Sequence, residues 1–105
     1  MTTGAKTSEP LALDEHTAAH IAEVFRAFSD TSRVRIISVL AKNPLNVGSL
    51  AEVVGLSPSA VSHHLRALRQ MRLVWVRREG QQVFYHLDAH VADLFRYGLD
   101  HVLHG

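Results

Sequence analysis

The sequence predicts a mainly α-helical domain that contains one small β-hairpin. Five segments place apolar residues at helical spacing, and the stretch before the fifth is rich in β-branched and aromatic residues. The chain has 105 residues, of which 47% are hydrophobic, so it fits a single domain. We expect a disordered tail over residues 1–12 and a folded domain over residues 13–105. A domain this small often gains stability by pairing, which favours a homodimer through the first and last helices.

Two helices open the predicted domain. The first covers about residues 14–28, and its apolar side chains lie at i, i+3, i+4 and i+7, as expected for a core stripe. These residues are Ile21, Val24, Phe25 and Phe28. Asp30 is expected to cap a second helix. This helix is predicted to end near Asn43 and Pro44, because a residue that precedes proline disfavours the helical conformation.

The next two segments have the order short helix, tight turn, second helix. Asn46 is expected to cap the short helix, and Gly55 follows where a tight turn needs a positive φ. Ser57 is a favourable N-cap, and Pro58 suits the first position of the helix behind it. This order is that of a helix-turn-helix, and the second helix has one apolar and one polar face.

A β-hairpin is predicted directly after the fourth helix. Residues 73–76 and 83–85 favour strands, and residues 77–82 between them are charged or polar and are predicted to form the tip. A basic hairpin behind a helix-turn-helix is a wing, which is placed to contact the DNA backbone or the minor groove. The sequence therefore predicts a winged helix-turn-helix.

Positive charge is concentrated in this part of a chain whose formal net charge is only +1. The stretch from Ser57 to Arg78 holds five arginines and no acidic residue, which indicates a site for a polyanion. The polar helix face suits phosphates and base edges in a DNA major groove, although taken alone it fits an ordinary solvated surface equally well. The predicted DNA contacts are Ser57, Ser59, Ser62, His63, Arg66, Arg77, Arg78 and Gln81.

The last predicted helix carries four residues of metal-binding types. Asp88 and His90 stand at its start, and His101 and His104 stand at its end. With 3.6 residues per turn, the three histidines fall within about 60° of one another. His90 and His101 are nonetheless separated by roughly 16 Å of helix, too far for one metal ion with ligands at about 2 Å. An antiparallel second copy removes this distance, so the pattern predicts a dimer with two symmetric metal sites.

A secondary metal site is an option on the first helix. His16 and His20 lie one helical turn apart there, a spacing that can bind metal, although two solvated histidines are the simpler interpretation. For the main site, four ligands without sulfur favour zinc or cobalt, while nickel and copper also accept imidazole and carboxylate. We therefore expect a transition-metal ion, zinc in first place, with nickel or cobalt as alternatives.

Several classes of function are excluded or disfavoured. The chain has no cysteine, so disulfides and thiolate metal sites are excluded. No apolar run approaches the roughly 18 residues of a membrane span, and the first residues lack the apolar core of a signal peptide, so we expect a cytoplasmic protein. An enzyme is disfavoured because protein ligands would fill all four metal positions, as in a closed, non-catalytic site.

Together, these features resemble the ArsR/SmtB family of bacterial metal-sensing repressors. The resemblance covers about residues 18–104. The segment LSPSAVSHHLRALRQMRLV closely resembles the family's recognition helix, and FRAFSDTSRVRIISVL resembles its first two helices. The Asp-x-His and His-x-x-His pairs are similar to those of the branch that binds zinc or cobalt between the C-terminal helices of a dimer.

The resemblance implies a repressor that binds an inverted-repeat operator as a dimer and is released when metal binds. It also implies that Ser59, Ser62 and His63 face DNA. A winged-helix repressor of the same fold that senses no metal through its last helix is the alternative. We expect no C-terminal tail to supply the further ligands of a six-coordinate nickel site, a role that His16 or His20 would then take.

Overall fold

The computed structural model describes residues 11–105 and confirms the mainly helical fold with one hairpin. In chain order the elements are α1 (Glu15–Ala27), α2 (Thr31–Leu40), α3 (Val47–Val54), α4 (Pro58–Gln70), β1 (Val74–Glu79), β2 (Gln82–Leu87) and α5 (Ala89–His104). The first ten residues, which hold most of the predicted tail, lie outside the described residues. No helix in the described part of the chain is long and apolar enough to cross a membrane.

Each of the five helices begins at a side-chain oxygen that accepts a backbone N–H of the first turn. The donor nitrogens lie 2.8–3.2 Å from these oxygens. The capping residues are Asp14, Asp30, Asn46, Ser57 and Asp88. The predicted caps of the second, third and fourth helices are thereby confirmed. Side chains of this kind satisfy N–H groups that have no partner inside the helix.

The core lies where α2, α3 and α4 pack together. Its fully buried large side chains come from all three helices: Ile36, Ile37, Leu50, Val61, Leu65 and Leu68. Gly55 ends α3 with a φ of 73°, as predicted for the tight turn. Ala51 on α3 is buried, and its small side chain permits the close approach of α3 and α4. The helix-turn-helix is therefore formed within one chain.

The hairpin is longer than the sequence predicted, and its turn is shorter. The strands continue to Glu79 and resume at Gln82, so the turn consists of Gly80 and Gln81 instead of the predicted residues 77–82. Gly80 has a φ of 63° at the first turn position, where a two-residue type II′ turn needs a positive value. Strand pairing thus extends through exposed polar residues that carry little strand propensity of their own.

The wing is attached to the start of α3 by backbone and side-chain hydrogen bonds. Leu45 and Tyr85 exchange backbone bonds, with N···O distances of 2.9 and 3.3 Å. The amide of Asn46 donates to Oε1 of Gln82 at 2.7 Å. These contacts hold β2 beside the helix-turn-helix, so the wing and α3 form one unit.

The predicted core stripe of α1 is wrong for two of its residues within one chain. Ile21 and Phe25 are 45% and 52% exposed, whereas Val24 and Phe28 pack partly against the core. Within residues 11–105 of one chain, α1 buries only Ala27 completely, and no other element covers its outer side. Phe25 is thus part of an apolar surface that a single copy leaves open.

The apolar face of α5 is likewise only partly covered. Val91 is buried and Phe95 packs against the core. Leu99 is 44% exposed and Val102 is 79% exposed. An open groove of about 350 Å³ runs beside these residues, and its lining is almost entirely apolar: Phe28, Val34, Leu94, Phe95, Gly98, Leu99 and Val102. Exposed apolar surface of this kind indicates a protein interface.

Candidate metal centre and nucleic-acid interface

The outer face of α4 carries three of the predicted DNA contacts in one stripe. Ser59, His63 and Arg66 are exposed at i, i+4 and i+7, which places them along one side of the helix. Ser62 lies beside this stripe and is half-buried, so it is less accessible than the other three. The opposite side of α4 is anchored in the core, which fixes the orientation of the polar stripe.

Ser57 has a structural role in addition to its predicted one. Its Oγ accepts the N–H of Ala60 at 3.1 Å and thereby caps α4. The hydroxyl proton is still available to a phosphate oxygen. The helix N-terminus also carries a partial positive charge that favours anions. Ser57 therefore stands at the end of α4 where a phosphate contact is electrostatically favourable.

The two arginines predicted for the tip of the wing lie on β1, and they point to opposite faces of the hairpin. Arg77 pairs across the ladder with Phe84, and Arg78 pairs with Val83. Successive residues of a strand alternate between faces, so one flat surface cannot meet both side chains equally. Arg77 Nε also lies 3.8 Å from Glu79 Oε2 in an exposed pair, an interaction that contributes little in water. Gln81 is exposed in the turn.

An aromatic stack that the sequence did not predict lies on the same face of the wing as Arg77. The rings of Trp75 and His86 have centroids 4.0 Å apart and are nearly parallel, with an interplanar angle of 12°. The ladder register pairs these two residues directly, so a correct strand register would have predicted the contact. The stack joins the two strands in the half of the wing that is nearer to α5.

Asp88 and His90 lie together at the start of α5. The Asp88 carboxylate accepts the N–H groups of His90 and Val91 through Oδ2, at 3.0 and 3.2 Å. No hydrogen bond from residues 11–105 engages the other carboxylate oxygen, Oδ1. The side chain of His90 is 95% exposed, and its Nδ1 lies 3.8 Å from Asp88 Oδ2. Both side chains can therefore offer a donor atom to a metal ion without breaking the helix cap.

His101 and His104 lie in the last turn of α5 and are both exposed. Within residues 11–105 of one chain, no three histidine or acidic side chains come close enough together to hold a metal ion. The structure thus brings the four predicted ligands together only as two separate pairs, one at each end of α5. One chain does not assemble the predicted four-ligand site, so the site stays a prediction that requires a second copy.

His16 and His20 form a third pair, on α1. Their ring centroids are 4.4 Å apart, and both residues are exposed. Neither the start nor the end of α5 adds a third ligand to this pair within the described part of one chain. In a single copy, the structure does not bring His16 or His20 to the predicted α5 site.

The path between α5 and α4 is short and consists of backbone hydrogen bonds. The N–H of Asp88 donates to the carbonyl of Leu73 at 3.0 Å. The N–H of Leu73 in turn donates to the carbonyl of Leu68 in the last turn of α4, at 2.9 Å. Arg72 makes this tight exit from α4 with a φ of 61°, a value that is uncommon for a residue other than glycine. The start of α5 is thus tied directly to the end of α4.

These features define a winged helix-turn-helix transcription regulator. Comparison with known proteins identifies the family: residues 30–75 match the profile of the bacterial regulatory proteins of the arsR family. The chain is 47% identical to the transcriptional repressor SmtB homolog of Synechocystis over 95 residues, which are 90% of this chain and 70% of that protein. The chain therefore belongs to the ArsR family, and it is a regulator and not an enzyme, as predicted.

Solved structures agree with this assignment. NolR from Sinorhizobium fredii is similar with a TM-score of 0.78 and 34% identity, over 90% of this chain and 95% of that one. The homodimeric winged helix-turn-helix DNA-binding domain of Mb0332 from Mycobacterium bovis is similar with a TM-score of 0.73 and 29% identity. This second comparison covers 86% of this chain and 87% of that one. The predicted fold class is confirmed.

Proposed function

We propose that the protein is a metal-responsive transcriptional repressor. As a homodimer it binds an inverted-repeat operator, and it leaves the operator when a transition-metal ion binds between the two α5 helices. The observation that supports this proposal most directly is the position of the metal-donor side chains on α5. Asp88 and His90 are accessible at one end of α5, His101 and His104 at the other, and one chain does not bring the pairs together. Two antiparallel copies would complete two sites.

The proposed site fits a closed four-coordinate ion. One carboxylate and three imidazoles suit tetrahedral zinc or cobalt, and nickel is the other candidate because it also accepts these donors. The open Oδ1 of Asp88 and the exposed ring of His90 leave room for such an ion. When bound, the metal would supply a rigid cross-link between helices and no chemical reaction.

A homodimer is supported by the uncovered apolar surface of the flanking helices. Phe25 on α1 and Leu94, Leu99 and Val102 on α5 are exposed in one chain. The groove of about 350 Å³ beside α5 offers an apolar seat for the same helix of a second copy. The proposed dimerising and DNA-binding domain covers residues 13–105.

The hydrogen-bonded path from α5 to α4 supports a mechanism for release. A metal that fixes the crossing angle of two α5 helices also fixes Asp88, whose backbone is tied through Leu73 to the end of α4. The two recognition helices would then be held away from the spacing of operator half-sites, about one helical turn apart. A coupling of roughly 1–3 kcal/mol is typical of such linkage.

The DNA interface in this proposal combines base and phosphate contacts. His63 and Ser62 on α4 are assigned to base edges, and Ser59 and Arg66 extend the same surface. Ser57 at the helix N-terminus is assigned to a phosphate. On the wing, Gln81 and one of the two arginines, Arg77 or Arg78, are assigned to the DNA backbone, because the two arginines lie on opposite faces of the hairpin.

A repressor that senses no metal through α5 is the second candidate, and one observation favours it. The Asp88 carboxylate already caps α5, so its presence has a structural explanation without metal. In that case α5 would serve only the dimer. The Asp88→Ser variant separates the two explanations, because serine can cap a helix but is a poor metal ligand.

A mixed dimer tests the proposed sites. One chain carries Asp88→Ser and His90→Gln, and the other carries His101→Gln and His104→Gln. We expect this heterodimer to keep one complete metal site, while each mutant homodimer keeps none. Cobalt absorption gives the stoichiometry, and titration of operator DNA with and without metal gives the coupling. Two weak, equal sites in the heterodimer would show that ligands come from within one chain, and the proposal would fail.

A further inference from the structure

We propose that His16 and His20 form a second metal site on α1. The site is distinct from the α5 ligands and takes a borderline divalent cation such as Cu²⁺, Ni²⁺ or Zn²⁺. Histidines at i and i+4 lie on the same side of a helix, an arrangement in which two imidazoles can share one ion. This inference does not depend on the proposed function of α5, because it uses none of the same residues.

The distance between the two rings matches shared coordination. An imidazole nitrogen binds zinc at about 2.0–2.1 Å, so two rings on neighbouring coordination positions have centres roughly 4.5–5.2 Å apart. The ring centroids of His16 and His20 are 4.4 Å apart, with an interplanar angle of 52°. Only a few tenths of an ångström and a rotation about exposed side-chain bonds separate this arrangement from a chelate.

The surroundings of the pair favour a cation. Asp14, Glu15 and Glu23 contribute three carboxylates to this helix and its cap, against two basic residues, Arg26 on the same helix and Arg72 in the cavity that His20 lines. The Asp14 carboxylate accepts the N–H of Thr17 at 2.9 Å, which fixes the turn that contains His16. This cap stabilises the first turn of α1, which carries His16, without an ion.

The site would be open and weaker than a complete protein site. No third histidine or acidic side chain of residues 11–105 joins the pair, so water or another small ligand must fill the remaining positions. For such a site the affinity should follow the general order in which copper binds more tightly than nickel or zinc. Such a site would fill only at a higher metal concentration than a site with four protein ligands.

The location of the site is the reason to expect that a metal ion bound there affects DNA binding. His20 and Glu23 line a cavity of about 370 Å³ together with Gln70, Met71 and Arg72 at the end of α4. An ion on His16 and His20 would therefore lie beside the C-terminal end of the recognition helix. It would also cross-link the first turns of α1, a helix that buries only Ala27 completely.

Metal titration of the 105-residue chain without the α5 imidazoles tests the site. This background carries His90→Gln, His101→Gln and His104→Gln, which are exposed positions where glutamine should not disturb the fold. Calorimetry with CuCl₂ and NiCl₂ should find one ion per chain. Hydrogen exchange should slow at the amides of α1 when the ion is bound, because only the folded helix holds both rings in place.

A swap of two residues provides the matched control. His16→Ala combined with Ala18→His keeps the composition but puts the imidazoles of residues 18 and 20 on opposite sides of α1. The ion should then bind at least about tenfold more weakly, the lower limit for loss of a group that supports a metal site. Unchanged affinity after the swap, or no binding in the background variant, would overturn the proposal. The same swap with α5 intact should leave the α5 site filled, so the two proposals fail separately.

Discussion

The central part of the chain and its two flanking helices differ in how they bury apolar side chains. Apart from Ala27 and Val91, the buried hydrophobic residues of the described chain all lie between residues 36 and 74. The large exposed hydrophobic side chains lie in the flanking helices or just before α1, with the exceptions of Val53 and Trp75. The central unit, which consists of α2, α3, α4 and the wing, thus has its own apolar core in one chain. In contrast, α1 and α5 leave apolar side chains exposed unless another molecule covers them.

This difference assigns DNA recognition and regulation to different parts of the chain. Recognition of DNA requires a rigid helix, and α4 has its apolar side locked in the core through Val61, Leu65 and Leu68. Regulation requires an element with two arrangements, and such elements come from the less tightly packed parts of a fold. The proposed metal ligands are divided between the two ends of α5, and the apolar surface of the same helix is exposed in one chain. In the proposed dimer, the second copy would bring the divided ligands together and cover this apolar surface.

The largest effect should come from a matched pair of leucine substitutions. Leu65→Ala removes a fully buried side chain and should lower the free energy of unfolding by about 2–5 kcal/mol. Leu99→Ala alters a side chain that is 44% exposed in one chain, so it should weaken the dimer and leave the helix-turn-helix folded. Urea unfolding at several protein concentrations, together with sedimentation, distinguishes these outcomes.

Similar behaviour of the two leucine variants would contradict this difference between α4 and α5. An unchanged dimer dissociation constant for Leu99→Ala would mean that a second copy does not cover this part of α5. Equal losses of monomer stability for both variants would mean that the flanking helices belong to the same core as α4.

The next effect concerns the two roles of Asp88. Asp88→Ser should keep the cap of α5 and lower metal affinity by about 10- to 100-fold or more, since loss of even a supporting group costs that much. Asp88→Ala should lower metal affinity equally and should also cost about 1 kcal/mol of stability through the lost cap. Metal titration and thermal unfolding without metal measure the two quantities independently. Full metal affinity in the serine variant would assign the carboxylate to capping alone.

A smaller effect should distinguish the two faces of the wing. If one face meets the DNA backbone, only one of Arg77→Ala and Arg78→Ala should reduce the slope of log affinity against log salt by about one unit. The two side chains lie on opposite faces of the hairpin, and this geometry is the reason for unequal effects. His63→Ala provides the contrast, because it should reduce the preference for operator over random DNA. Equal slopes for both arginine variants would place both faces of the wing against phosphate.

Local signals in the sequence were sufficient to predict most of the central unit. Asp30, Asn46 and Ser57 are caps, and Gly55 has the positive φ that its turn requires. These features depend on neighbours within a few residues, so a single sequence contains them. The buried side of α4 follows from the same short-range periodicity.

Features that depend on pairing between distant segments were predicted less well. The length of the hairpin is set by backbone pairing, which carries Arg77 and Arg78 into β1 although their side chains favour a loop. Arg72 adopts its unusual φ because Leu73 must return to the carbonyl of Leu68. Phe25 was assigned to the core because periodicity identifies an apolar face but not the molecule that covers it. For the same reason, the α5 ligands stay a prediction until the dimer is observed.

The smallest effect should come from the caps of α1 and α2 and should depend on pH. The N–H of Arg33 lowers the pKa of the Asp30 carboxyl below its usual 3.8, against the effect of burial, which raises it, and with smaller help from the charges of Arg33 and His64. The N–H of Thr17 has the same main effect on the pKa of Asp14. A carboxyl whose pKa is lower in the folded state stabilises the fold above pH 3.8, and this stabilisation is lost as the pH falls through the folded-state value.

Asparagine replacements separate these two caps, because asparagine caps a helix about as well as aspartate but does not titrate in this range. Asp30→Asn lies at the entrance to the central unit and should reduce the loss of global stability between pH 5 and about pH 3. Asp14→Asn lies on α1, which can fray while the central unit stays folded, so it should leave the global transition nearly unchanged and alter only amide exchange in α1. Urea midpoints across this pH range, followed by hydrogen exchange at each pH, give both quantities. If Asp14→Asn changes the global midpoint as much as Asp30→Asn, then α1 unfolds together with the central unit. In that case α1 belongs to the same cooperative unit as α2, α3 and α4.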